Sequence, residues 1–173
     1  QDNTTRHYGV KGLSSTYFGG AKNEQFAELN AEAVGSLYQD VLTIPGSTMY
    51  WSVDHAPRLK TSGDNGYGGK DTMYVLIMST ELAQHIKSQN DVLEVARGIQ
   101  DAQQKGETFT WTDSDNQSVS FAGASVKYCE SKSYTSYPYE VEWVTHKDTY
   151  TVPEGQYSTR YFFASESNAY SAL

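Results

Sequence analysis

Cysteine is nearly absent: Cys129 stands alone in 173 residues. An internal disulfide and a multi-cysteine zinc site are therefore excluded. One thiol fits either redox compartment, so the count does not fix the location. Long apolar runs are missing too. None approaches the roughly 18 residues a membrane-spanning helix needs, so no membrane insertion is expected. Positive charge is scarce, with Lys and Arg at 13 against 21 for Asp and Glu and a net charge of -8. Such a chain lacks the basic footprint for nucleic acid, and it fits an anionic membrane surface poorly. No basic-then-apolar leader precedes Gln1, which reads as a mature or a cut start.

Catalytic motifs are also lacking. The histidines His7, His55, His85 and His146 are scattered, and no pair has the i, i+4 spacing of a metal motif. There is no GxSxG, GxGxxG or phosphate loop. The stretch Gly66-Tyr67-Gly68-Gly69 lacks the Lys-Ser/Thr that would hold phosphate. Cys129 has only Lys127 and Lys132 near it, too little to activate a nucleophile. A non-enzymatic role is expected.

Aromatic residues are plentiful instead. Fourteen tyrosines, three tryptophans and six phenylalanines make 13% of the chain, while the mean hydropathy is only -0.62. Tyrosine joins a flat apolar ring to a polar tip, which suits half-exposed strands and wet binding surfaces. Alternation of apolar and polar residues predicts strands over 26–31, 37–42, 49–55, 71–78, 108–112, 118–122, 125–130, 141–146 and 157–164. Turns fall at Ile44-Pro45-Gly46-Ser47, Asp113–Gln117 and Val152-Pro153-Glu154-Gly155-Gln156. Residues 81–105 break this pattern. Leu82 and Ile86 share one helical face, and Val92, Ala96 and Ile99 share another. Asn90 or Asp91 is the expected cap of the second piece, with Gly106 at its C-terminal end. Short strands separated by turns predict an all-β, two-sheet sandwich spanning 1–173 as one domain, with a short helical insertion at 81–105. The insert is expected to lie on Tyr74, Leu76 and Met78, because that strand is apolar on both faces. The other reading of the insert is a partner-recognition element.

Four stretches carry a resemblance. They are Phe26-Ala27-Glu28-Leu29-Asn30-Ala31; Leu37-Tyr38-Gln39 through Pro45-Gly46 to Trp51-Ser52-Val53-Asp54-His55-Ala56-Pro57-Arg58; Asp71-Thr72-Met73; and Tyr150 through Gly155-Gln156 to Thr159-Arg160-Tyr161-Phe162-Phe163. Covering about 25–80 and 148–165, they resemble a galactose-binding-like jelly-roll domain of bacterial secreted and surface proteins. The resemblance implies a carbohydrate-binding module or an adhesin unit. The chain departs from that pattern twice. It reads His55-Ala56-Pro57-Arg58 where the family has His-Arg-Gly-Arg, and it reaches Leu173 before the family's closing acidic strand. That last strand is expected to be missing or supplied otherwise. Its paired aspartates are where related jelly rolls would hold a structural calcium.

Candidate binding residues follow from strand parity and from aromatic clustering. Parity sends Glu28, Asn30, Tyr50 and Asp54 to an outer or concave face, where acceptors beside rings suit a sugar, and Arg58 is a further candidate sugar contact. The competing reading makes Glu28, His55 and Arg58 a satisfied network at a sheet rim. Tyr134, Tyr137 and Tyr139 crowd a loop stiffened by Pro138, a rigid aromatic platform; the competing reading folds them over the sheet edge. Trp111 beside the Asp113–Gln117 tip is a second platform, whereas Trp51 is assigned to the core. Calcium remains a candidate at two oxygen-rich tips, Asp113, Asp115 and Asn116 on one and Asp64, Asn65 and Asp71 on the other, against ordinary turn chemistry. The expected function is a non-catalytic carbohydrate-binding module of an extracellular bacterial protein, taking a polysaccharide or host glycan. The alternative is a protein-binding adhesin or scaffold module that engages a host or scaffold protein.

Overall fold

The computed structural model describes residues 34–56, 70–132 and 143–166, together with 27 and 29. The elements run β1 (Ser36–Leu42), β2 (Thr48–His55), β3 (Thr72–Ser79), α1 (Thr80–Ala83), α2 (Gln89–Lys105), β4 (Thr110–Thr112), β5 (Ser118–Ser120), β6 (Ser125–Glu130), β7 (Val144–Thr151) and β8 (Ser158–Ser165). They form a four-stranded sheet in the order β1-β8-β3-β6 and two-stranded ribbons β2-β7 and β4-β5. Every pairing is antiparallel. Strands take 46% of the described residues and helix 19%. The chain is therefore mostly β with a genuine helical layer, a coarser architecture than the all-β sandwich expected.

Strand β3, Thr-Met-Tyr-Val-Leu-Ile-Met-Ser, explains the layering. Met73 to Met78 are all buried. Successive side chains of a strand point to opposite faces, so Tyr74, Leu76 and Met78 enter one cluster and Met73, Val75 and Ile77 the other. The first cluster holds Val92, Leu93, Val95, Ala96 and Ile99 of α2, with Trp111, Val119 and Phe121 around the β4-β5 ribbon. The second holds Tyr150 and Val152, with Met49, Trp51 and Val53 of β2 packed on it. The helix and the small ribbon thus cover one face of the main sheet, and β2-β7 covers the other. The insert buries its apolar face on Tyr74, Leu76 and Met78, as its periodicity predicted.

Local chemistry sets the ends of α2. Its N-cap is Ser88 rather than Asn90 or Asp91. The Ser88 side chain accepts from the Asp91 backbone N–H, and the Asp91 carboxylate accepts in return from the Ser88 N–H. Sequence periodicity located the apolar stripe, but a capping box needs both partners, three residues apart. Gly106 closes the helix with φ 70°. Inside the helix, Gly98 is fixed by the ring of Phe109, where an added Cβ would come within 2.2 Å of ring carbons.

Two turns lock the ends of the sheets. Gly46 N donates to Val152 O and Val152 N to Ser47 O, each at 2.9 Å. Behind them Gln156 Nε2 donates to Thr159 Oγ1 at 2.6 Å and to the Tyr150 hydroxyl at 3.1 Å, and that hydroxyl donates to Gly123 O at 2.9 Å. The expected strand 26–31 is not seen at its two described residues, where Leu29 is a bend, and β7 is displaced from the sequence expectation of 141–146. It continues through the polar run Lys147-Asp148-Thr149, because its outer face is solvated and only alternate residues need be apolar.

Replacing Ile99, 3% exposed, with Asp places an unpaired charge between α2 and the sheet. Ile99→Asp is expected to cost about 3–5 kcal/mol. Urea titration followed by circular dichroism measures it; an unchanged midpoint would mean that α2 does not pack there.

Candidate functional site

The β2-β7 ribbon turns one face to the core and one to solvent. Met49, Trp51, Val53 and His55 point inward, and Tyr50, Ser52 and Asp54 outward. Antiparallel register sets Tyr50 opposite Thr149, Ser52 opposite Lys147, and Asp54 opposite Thr145. Tyr50 is 82% exposed, a high value for a large ring in a paired strand. Beside it is a shallow, open depression lined by Tyr50, Trp51, Ser52, Lys147, Asp148 and Thr149. Thr145 Oγ1 donates to Asp54 Oδ1 at 2.6 Å, which fixes that carboxylate at the far end of the face.

The edge strand β6 supports the depression. Lys127 Nζ donates to Asp148 Oδ2 at 2.7 Å and to Lys147 O at 3.0 Å, and it lies 5.8 Å from the centre of the Trp51 ring. The Lys127 hydrogen bond, followed by one from the Thr149 backbone, holds the Asp148 carboxyl below the usual carboxylate range. The outer face so built offers one open ring, hydroxyls from Ser52 and Thr149, the Lys147 ammonium and the Asp54 carboxylate held by Thr145, while Asp148, opposite the inward-facing Trp51, lies at its edge. Such a mixture can stack on an apolar C–H face and exchange hydrogen bonds with hydroxyl groups.

Of the residues expected from sequence, Tyr50 and Asp54 share this face, about 13 Å apart along the strand at 3.3 Å per residue. Trp111 does not join them. At 9% exposed it packs against Phe121, with ring centres 6.4 Å apart, in the helix-side cluster. The Thr110-Trp111-Thr112 parity already placed it opposite two exposed threonines, and this outweighs its closeness to a polar tip. Trp51 is half-buried against the ribbon-side core. Glu28, Asn30, Arg58, Tyr134, Tyr137 and Tyr139 lie outside the described residues.

The Asp113 tip is a turn knot. Asp113 Oδ1 accepts from the Asp115 and Gln117 backbone N–H groups at 2.9 and 2.8 Å, and Oδ2 accepts from His85 Nδ1 at 2.7 Å. Asp115 pairs with Lys87. The Asp113 carboxylate and one oxygen of Asp115, two of the groups expected for calcium, are thus bonded within the protein. Asp64 and Asn65 of the second tip are outside the described residues, and Asp71 Oδ2 lies 3.5 Å from His55 Nε2. Among the described residues no group of three or more His, Cys, Asp or Glu side chains is placed to hold a metal ion. Burial pushes the Cys129 thiol up to about 11, so it stays protonated at neutral pH.

One juxtaposition escaped sequence reasoning. His55 and His146, remote in the chain, are inward-facing neighbours on β2 and β7 with ring centres 5.8 Å apart. Burial, then the nearby His55 and Lys127, hold His146 below the usual imidazole range. Only the β2-β7 register reveals the pair; the parity of each strand alone marks both residues as inward. No protein-family model, curated protein or solved structure matches the chain.

The His85 hydrogen bond, with that from Gln117 N–H next, holds the Asp113 carboxyl below its usual range. A lowered folded pKa gives stability that is present above the unfolded pKa and lost as pH falls through the folded one. Wild type is therefore expected to melt higher than Asp113→Asn at neutral pH, and the gap is expected to close below about pH 4. Melting curves across pH check this; a gap that persists unchanged into strong acid would contradict it.

Proposed function

We propose that the chain is a non-catalytic carbohydrate-binding module of an extracellular bacterial protein, built on a jelly-roll sandwich, with the outer face of β2-β7 as its glycan surface. The observation that carries this reading is Tyr50, an 82% exposed ring on a paired strand, beside a depression of hydroxyl and charged side chains. The jelly-roll assignment draws support from chain tracing. The path goes from the main sheet at β1 to the ribbon at β2 and back at β3, and again from β6 to β7 to β8. Such alternation between facing sheets is what a jelly roll requires. Three of the four stretches that carry the family resemblance fall on β1 to β2, on the start of β3, and on the end of β7 through β8; the fourth, Phe26–Ala31, lies outside the described residues except for 27 and 29.

A second reading, a protein-binding adhesin module, rests on a different place. Leu42, Ile44 and Tyr157 are exposed together where Thr43 N donates to Tyr157 O. Leu42 is 90% exposed. Exposed aliphatic side chains suit a protein partner better than a sugar.

The test is isothermal titration of the purified chain against a broad polysaccharide panel. Ring stacking contributes about 0.5–1.5 kcal/mol, so Tyr50→Ala is expected to weaken glycan binding several-fold to about tenfold. Its melting temperature should stay at the wild-type value, because the ring is in solvent. Added salt should change the affinity little for a neutral glycan. No ligand across the panel, or full affinity in Tyr50→Ala, would reject this surface. A protein partner lost on Leu42→Asp and retained in Tyr50→Ala would put the adhesin reading in its place.

A further inference from the structure

We propose that His55 and His146 form a two-imidazole site for a late first-row divalent metal ion, with zinc as the representative. The pair lies between the β2-β7 ribbon and the main sheet, apart from the outer face assigned to glycan. His55 is 7% exposed. Its Nε2 faces Asp71 Oδ2 at 3.5 Å, and its Nδ1 is buried without a hydrogen-bond partner. The Nε2 of His146 is likewise buried without a hydrogen-bond partner.

Two buried ring nitrogens without partners, on neighbouring imidazoles, are costly, since a buried polar atom normally finds a partner. A carboxylate is a pure acceptor, so the Asp71 contact places the His55 proton on Nε2 and leaves a bare lone pair on Nδ1. Metal-bound histidines have this arrangement: one nitrogen ligates while the other donates to a carboxylate or a backbone carbonyl. Imidazole is a ligand of choice for zinc, copper and nickel. The spacing also fits. With nitrogen–zinc distances of about 2.0–2.1 Å, two ligating rings have their centres about 5–6 Å apart; here they are 5.8 Å apart. Among the described residues no third His, Cys, Asp or Glu completes the set. The other coordination positions therefore go to solvent or to an added donor. Asp71 is a positioning residue, and the two histidines are the ligands.

The rival occupant is a water molecule that donates to both nitrogens. Titration of the whole chain with zinc chloride at neutral pH separates the two. One zinc ion per chain is expected, with a rise in melting temperature. His146→Gln is expected to weaken binding at least tenfold, and His85→Gln, at the distant Asp113 knot, to leave it unchanged. If His55→Gln fails to fold, copper loaded on the wild-type chain supplies the second readout. Its electron paramagnetic resonance spectrum should show two coupled nitrogens, and one in His146→Gln. No zinc binding, binding indifferent to His146→Gln, or a copper spectrum without imidazole nitrogen would overturn the site and leave the water in its place.

Discussion

Sealing β3 on both faces is the constraint on which the other layers depend. A strand whose residues 73 to 78 are all buried cannot remain at a sheet surface. Each of its faces exposes several large apolar side chains, each worth about 1.5–3 kcal/mol when buried. One cover is the amphipathic helix α2 with the β4-β5 ribbon; the other is β2-β7. Neither cover is hydrogen-bonded to the main sheet as a further strand. Both are held by apolar contact, which is non-directional, so their position comes from side-chain fit and from the polar locks at the turns. The Gln156, Tyr150 and Thr159 cluster is one such lock, and the Asp113–His85 knot is the other.

This division of labour leaves the outer face of the ribbon free of structural duty. Tyr50 and Ser52 contribute little to the core, because alternation assigns that task to Met49, Trp51 and Val53. A binding surface on such a face can change without loss of the fold. Lys127 is the exception: it reaches across from β6 to Asp148 and ties the ribbon edge to the main sheet. Substitutions there would disturb position as well as recognition.

Much of the fold was legible because its strands obey simple alternation. β2, β3, β6 and β8 fall where the pattern puts them, and Pro45-Gly46 and Glu154-Gly155 mark real turns with positive φ at Gly46 and Gly155. The insert and the strand it covers were readable from period alone. What failed had physical reasons. The Ser88 cap was missed because a cap is a reciprocal pair of hydrogen bonds rather than a residue type. Trp111 was misjudged because a polar neighbourhood in sequence was weighed above the parity of its own strand. Of the candidate site, Tyr50 and Asp54 were legible from parity. The His55–His146 pair was not, since it exists only through a long-range strand register that no local pattern encodes.

The register of the main sheet has a mechanical consequence. Ser36 at the start of β1 lies opposite Ala164 near the end of β8, so the first and last described strands begin and finish side by side. Tension applied at these two points pulls across the ladder instead of along it. The hydrogen bonds between β1 and β8 are then loaded one after another, as in a zipper, and not all at once as in shear. Resistance at the start rests on the outermost pairs, while the bidentate grip of Arg160 on Asp40, at 2.7 and 2.8 Å, stands further in as the first strong stop. A molecule under flow or traction would yield at this seam before the covers of β3 are disturbed.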